Sequence, residues 1–506
     1  MPNVEKSYQE LLCLLREAAL LGSCASVLNW DEQTNLPRAG GQHRADQLGL
    51  LAGLTHERAT SPRIGDLLSE LEQSGQLGDP DSPVAVNVRE ARHAYHRSTK
   101  LPRSLVEELS RTTTLSQQAW ISARKKSNFA EFLPWLEKVV QLKRQQADAI
   151  GYGNGVPYDA LLDEFEPGAS APEIAAIFAP LRDELVKLVA AIKASPCHPD
   201  VSLLKRRFPI EAQRQFAEQA ARQIGFDFDA GRLDVAAHPY CSGLGPGDCR
   251  LTTRYNEQHF PRAFFGVLHE AGHGLYEQGV DQTAFGSPMG ETVSLGIHES
   301  QSRLWENFVG RSRPFWQHFF APAKKAFPEA LANTTLDNWY AAINDVRPSF
   351  IRVEADEVTY NLHIMLRFEL EQPLISGDLK PTDVPQVWNE TFSRYFGITP
   401  PDAAQGCLQD IHWSAGLIGY FPTYSLGNMY AAQFYDAAQR DLGDLSAQFA
   451  NGNFRPLLDW LRNNIHRRGK QLRANRLVQA VASHALTHKP LIKHLHCKFD
   501  ELYELA

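Results

Sequence analysis

Cysteine is scarce in this chain of 506 residues: seven in all, at positions 13, 24, 197, 241, 249, 407 and 497, with no C-x-x-C pair. That count excludes a disulfide framework and a zinc ribbon, and makes reduced, mostly buried thiols the expected state. Basic charge is not in excess either. Lys plus Arg number 51 against 59 Asp plus Glu, a formal charge of −8. Without a basic face there is no footprint for a phosphate backbone, so no nucleic-acid partner is expected. Uninterrupted runs of 18 apolar residues are missing, and the stretch MPNVEKSYQELLCLLREAALLG carries Glu and Arg where a signal peptide would be unbroken. A cytoplasmic protein with no membrane partner is the expectation. Low-complexity linkers, internal repeats and charge blocks are also lacking, so one continuous domain over 1–506 is expected rather than a string of modules.

What the sequence does contain is helical periodicity. Leu11, Leu12, Leu15, Ala18 and Ala19 mark one apolar face, and similar patterns run through 102–125, 129–150, 172–194 and 211–224. Breaks at Gly151 to Pro157 and Ser195 to Pro199 separate them. The fold class is therefore mainly α. The exception lies between about 232 and 257, where LDVAAHPY and CRLTTRYN predict two short strands around the turn-rich CSGLGPGD. GYGNGV at 151–156 resembles a phosphate loop only superficially, because it lacks the Lys-Ser/Thr ending and a preceding strand.

The chemistry concentrates in PRAFFGVLHEAGHGLYEQG. Pro261 suits a first helical turn and Gly279 a stop, which places His269 and His273 four apart on one helix face. Two imidazoles so spaced converge on a single ion. Glu270 is rotated about 100° from His269, so it suits proton transfer rather than a third bond to the same ion. With 18 His and 32 Glu in the chain, chance gives about 0.04 matches to H-E-x-x-H. The long zincin pattern is excluded, because Tyr276 and Gly279 stand where it needs Gly and His. A third ligand is expected from the next helical segment, read as Thr292 to Val309 with a stop at Gly310. Glu299 is the candidate there, with Glu291 and Glu306 as competitors. Two His, one Glu and an open position suit a catalytic zinc and peptide hydrolysis, with Glu270 as the base.

Beyond these residues the chain resembles the Taq-type thermostable metallocarboxypeptidases, a family of helical H-E-x-x-H zinc carboxypeptidases. The resemblance covers nearly the whole chain. Its motifs are Trp30-Asp31 through Thr34, Pro37, Arg44 and Gln47; YDALLDEFEPG at 158–168; His238-Pro239-Tyr240; Asp248-Cys249-Arg250-Leu251-Thr252; HEAGH and HES; IRVEAD at 351–356; and GCLQDIHW at 406–413. Tyr240 departs from the Phe that the family commonly has there. The resemblance implies a helical zincin body with a deep groove, similar to neurolysin and angiotensin-converting enzyme, with 1–230 as a groove wall and 231–506 carrying the metal site. It also implies a cytoplasmic homodimer that uses zinc or cobalt and removes C-terminal residues from peptides with broad specificity.

Specific roles follow from that likeness. A free carboxylate calls for an Arg fork, and Arg352 and Arg250 are the candidates. Each also has a structural alternative: an ion pair of Arg352 with Asp356 on one helix, and of Arg250 with Asp248. His412 and Tyr420 match the His and Tyr that related zincins place over the scissile carbonyl, with Tyr424 as the neighbour of Tyr420, and His238 is expected to line or block the groove. Packing is the competing explanation for all four. Two other readings are a zinc oligopeptidase or dipeptidyl carboxypeptidase, and a non-catalytic helical binding protein in which HEAGH is structural.

Overall fold

The three- and four-residue apolar spacing folds as helix throughout: twenty α-helices and three short strands in the computed structural model, which describes residues 4–505. At the N-terminal end α1 (Val4–Thr34) packs along α2 (Gly41–Ala59) and against α3 (Pro62–Gln73), which meets α4 (Pro83–Lys100). A small core of Tyr8, Leu11, Ile64, Leu67, Val88 and Ala91 joins α1, α3 and α4. Then come α5 (Arg103–Lys126), α6 (Phe129–Ile150), α7 (Pro157–Leu162), α8 (Ala171–Ala194) and α9 (Ile210–Ile224). Four of these match the expected segments to within a residue, because Pro, Gly and Ser punctuate both ends.

Helix α1 adds something the residue count alone did not bring out. An 18-residue window within it has a mean hydropathy of 1.7, long and apolar enough to cross a membrane by length and composition, and only 11% of that window is buried inside the chain. Arg16 and Glu17 interrupt the apolar run, and at the centre of a span each such charge costs about 2.5–3.5 kcal/mol. The thiols also differ from expectation. Only Cys249 and Cys407 are buried, whereas Cys13, Cys24 and Cys497 are exposed, since α1 and the last helix turn those positions outward.

The β element has three strands, not two: β1 (Gly231–Val235), β2 (Cys241–Gly245) and β3 (Asp248–Thr253), in the order β1-β3-β2. β1 runs parallel to β3 and β2 antiparallel. The stretch read as a turn is itself a strand, rich in glycine for a reason of packing. A Cβ at Gly243 would lie 2.3 Å from Glu277 Oε2 on the next helix, so only glycine lets the strand approach.

That helix is α10 (Phe260–Glu277), with Pro261 in its first turn, and it packs on β3 and on α11 (Leu295–Arg303). The expected single helix from 292 to 309 is shorter and in two parts. Ser294 caps α11 by accepting the Ile297 N–H at 3.1 Å, and beyond Arg303 the chain winds into a π-helical turn, Leu304–Gly310. The remaining helices are α12 (Arg313–Ala326), α13 (Leu336–Ile343), α14 (Thr359–Ser376), α15 (Val384–Phe396), α16 (Pro422–Leu442), α17 (Leu445–Ala450), α18 (Arg455–Asn464), α19 (Ala474–Ala482) and α20 (Lys489–Tyr503). α14 is buried on every side, its polar Asn361, His363, Arg367 and Glu371 included.

Candidate metal centre

Two glycines set how closely the helices of the site can pack. A Cβ at Gly272, inside the HEAGH run of α10, would lie 2.6 Å from the Gln301 carbonyl of α11; one at Gly427 of α16 would lie 2.5 Å from Glu299 Cγ. With both absent, α10, α11 and α16 close on one another, and ligand atoms of His269, His273 and Glu299 fall within 4.8 Å of each other. Glu299 Oε2 lies 3.6 Å from His269 Nε2 and 3.4 Å from His273 Nε2. Ligands bonded at about 2.1 Å to a tetrahedral ion stand about 3.4 Å apart, so these three fit one divalent cation. The imidazoles keep 16–19% of their side-chain surface exposed, which leaves the cluster reachable from outside.

The far side of each imidazole is held as well. His269 Nδ1 lies 2.9 Å from Glu306 Oε2. His273 Nδ1 lies 2.5 Å from His298 Nδ1, and His298 Nε2 lies 2.7 Å from Glu277 Oε1. A single proton arrangement satisfies both chains: His269 donates from Nδ1 to Glu306, His273 donates from Nδ1 to His298, and His298 donates from Nε2 to Glu277. Both Nε2 lone pairs then face Glu299, as ligation requires. Glu299 itself accepts Arg303 Nε–H at 2.7 Å on Oε1 and the Ser302 hydroxyl at 2.9 Å on Oε2. Burial opposes its charge, but Arg303 and the two histidines hold its carboxyl well below the usual range. For Glu306 the same contest, won by Arg303, His269 and Arg311, leaves a value of about 2. Glu270 goes the other way. Burial, with the Glu299 and Glu306 charges and against the pull of His269, pushes it up to about 7, a range suited to taking up and giving back a proton.

Glu306 and Glu291, the competitors for the third position, do not take it. Glu306 holds the outer nitrogen of His269, and Glu291 is ion-paired with Lys470. His298, Glu277, Glu306 and Arg303 were not singled out for these supporting positions from sequence. The only signals were helical spacing, with Glu277 four residues from His273, Arg303 four from Glu299 and Glu306 three from Arg303, and the place of His298 next to Glu299 in HES.

A second group of buried and half-buried side chains lies beside the first. His412 Nε2 is 3.3 Å from the Tyr424 hydroxyl, and the Tyr420 and Tyr424 rings are 5.3 Å apart, edge to face. Burial pushes His412 down to about 3, so it is a neutral imidazole. Burial and Glu299 raise the Tyr420 hydroxyl to about 12, keeping it protonated as a donor. Arg352 is not paired with Asp356. It lies on a short 3₁₀ turn and donates from Nε and Nη2 to Asp410 at 3.0 and 2.9 Å, and from Nη1 to Tyr360 at 3.1 Å. Asp356 instead accepts backbone N–H groups of Val358 and Thr359 at the start of α14. Arg367, unmarked in the sequence, grips the other oxygen of Asp410 at 2.6 Å. Arg250 makes the alternative contact named for it, a two-pronged pair with Asp248 at 2.8 and 2.7 Å, and stacks on Trp30. His238 is exposed in the loop between β1 and β2.

Comparison with known proteins decides the lineage. The model of the carboxypeptidase Taq (M32) metallopeptidase family matches residues 10–499. The chain belongs to that family. It is 46% identical to thermostable carboxypeptidase 1 of Thermus thermophilus over 99% of both chains, and 37% identical to carboxypeptidase 1 of Bacillus subtilis over 98% of this chain and 99% of that one. Among solved structures, the M32 carboxypeptidase of Deinococcus radiodurans superposes with a TM-score of 0.95 at 40% identity, covering 99% of this chain and 100% of that one. Membership of a metallopeptidase family makes this M32 chain a peptide hydrolase.

Proposed function

We propose that the chain is a zinc-dependent carboxypeptidase that removes residues one at a time from the C-terminus of peptides with broad specificity. The observation that carries this reading is the approach of two imidazole Nε2 atoms to a single Glu299 oxygen, beside a Glu270 held at about 7. A divalent cation held by His269, His273 and Glu299 supplies a Lewis acid for the scissile carbonyl and acidifies water. Zinc suits two nitrogens and one carboxylate oxygen; cobalt would fit the same set. Glu270 takes a proton from water and gives it to the leaving amine. Tyr420, with Tyr424 and His412 behind it, offers a hydroxyl to the negative charge that develops on the carbonyl oxygen.

Charge counting favours Arg352 over Arg250 for the terminal carboxylate. Arg352 and Arg367 share the single Asp410, so that buried group carries one positive charge in excess while His412 stays neutral. Arg250 is already matched by Asp248. An incoming carboxylate would balance the first group and gains nothing comparable at the second. The cytoplasmic location and the homodimer belong to the same proposal; sedimentation at two concentrations and cell fractionation check them.

The experiment is a comparison of free-acid and C-terminally amidated peptides on the zinc-loaded enzyme. A carboxypeptidase is expected to cleave the free acid and spare the amide. Equal rates on both, or release of dipeptides, would favour the oligopeptidase reading and remove the Arg clamp.

A further inference from the structure

Behind the metal helix, β2 and β3 bring two cysteines together. The strand register pairs Cys241 with Leu251 and Gly243 with Cys249, so Cys241 and Cys249 are diagonal neighbours on the face that meets α10. Their sulfurs are 3.6 Å apart, and Cys249 Sγ is 3.9 Å from the carbonyl of Gly274, next to the ligand His273. Cys241 is partly exposed. Cys249, though buried, lines a cavity of about 310 Å³ bounded also by Ser23, Gly243, Glu277, Glu291 and Lys470. Cys241 is thus the more accessible member of the pair, and Cys249 borders the cavity.

We propose that Cys241 and Cys249 are an oxidant-responsive pair, which hydrogen peroxide converts into a disulfide that ties β2 to β3 against α10 and slows turnover until a reductant opens it. One thiol gives up its proton, its sulfur attacks the peroxide and keeps one oxygen as a sulfenic acid, and the other oxygen leaves as water. The second thiol then displaces that hydroxyl as a second water, so two thiols and one peroxide become one disulfide and two waters. Closing the bond brings the sulfurs from 3.6 Å to about 2.05 Å. The β-bulge between Gly243 and Gly245 gives β2 the freedom to make that move. The hydrogen bond to Cys249, burial, and the nearby Glu277 and Glu270 carboxylates push the Cys241 thiol up. The first step is accordingly slow, while the adjacent second thiol captures the sulfenic acid before it oxidises further. A dithiol that is reduced at rest and closes under oxidant is the kind of pair a reducing compartment permits. The linkage reaches function through the strands themselves, because β2 follows directly on His238 and Tyr240, β3 carries Arg250, and both pack on α10.

The test is peroxide treatment of the zinc-loaded enzyme, followed by alkylation and peptide mapping without reduction. The expected result is a cross-linked fragment joining Cys241 to Cys249, lighter by two hydrogens, a several-fold fall in kcat/KM at unchanged zinc content, and reversal of both by a phosphine reductant. Cys241→Ser is expected to keep the basal kcat/KM and lose the peroxide response. The mass readout is independent of what the enzyme hydrolyses. Free, alkylatable Cys241 and Cys249 after a dose that oxidises exposed Cys13 would overturn the pairing in the unmutated protein, whether or not the variant folds. A formed disulfide with unchanged kcat/KM would overturn its link to turnover.

Discussion

Glu270 and His298 are close to the same imidazoles yet predict opposite phenotypes. Glu270→Gln keeps the size of the side chain and removes its proton-accepting charge. The expected outcome is full metal content with turnover reduced by about 10²–10⁴-fold or more; metal analysis beside kcat checks it. His298→Ala instead frees His273 Nδ1 from its 2.5 Å partner, and loss of such a support costs roughly 10–100-fold in metal affinity. Competitive titration against a chelator measures that, and added zinc is expected to restore most of the rate. Arg352→Met belongs at this scale too. It leaves Arg367 and Asp410 as a matched pair, so the chain is expected to fold while KM rises roughly tenfold or more for free-acid peptides and amidated peptides stay spared, as in the parent. The histidines of HEAGH were legible because their spacing alone sets a helix face, whereas Glu299 stood as one of three acidic candidates in or next to the following helical segment. The pairing of Asp410, inside GCLQDIHW, with Arg367 was not legible, because the two meet across 43 residues of chain.

At the scale of elements, the position of α11 depends on both ends. Its start is held by Glu166, whose carboxyl accepts the Gly296 N–H at 3.0 Å and the hydroxyls of Ser294 and Tyr430 at 3.1 and 3.0 Å. Burial outweighs those three bonds and raises Glu166 to about 7 from an ordinary value near 4.5. The folded state therefore holds a proton that the unfolded state has lost between pH 4.5 and 7. The stability associated with that proton is fully present below pH 4.5 and is lost as pH rises through 7, by up to about 3 kcal/mol. Glu166→Gln can keep every contact, with its amide N–H donating to the two hydroxyls, and is expected to flatten the fall in Tm across that window relative to the parent. Further along, Gly427→Ala would press a methyl group onto Glu299. Weakened metal binding with near-normal helix content in circular dichroism is the expected result. Helix boundaries could be read from Pro, Gly and Ser, whereas β2 and the π-helical turn could not. Glycine in β2 serves close approach to Glu277 rather than a turn, and a π turn leaves no signature in apolar spacing.

For the whole molecule, the cation and the fold are linked through the three helices that meet at the cluster. Glu270, Glu299 and Glu306 lie together there, and a divalent cation that binds only the folded chain stabilises it by about 2.7 kcal/mol when free metal is a hundredfold above its Kd. Chelation is expected to lower Tm and abolish activity together, and zinc to restore both. The mainly helical body was legible from periodicity; the way α10, α11 and α16 converge was not, since it rests on Gly272 and Gly427, whose purpose shows only once the helices are packed. The most direct test of the central claim is X-ray absorption at the metal edge of the zinc-loaded protein, alongside its Glu299→Ala variant. Two imidazole nitrogens, one carboxylate oxygen and one exchangeable light atom, at about 2.0–2.1 Å, with the carboxylate contribution lost in the variant, is the predicted result. A first shell closed by four protein ligands, or one unchanged by loss of Glu299, would contradict it.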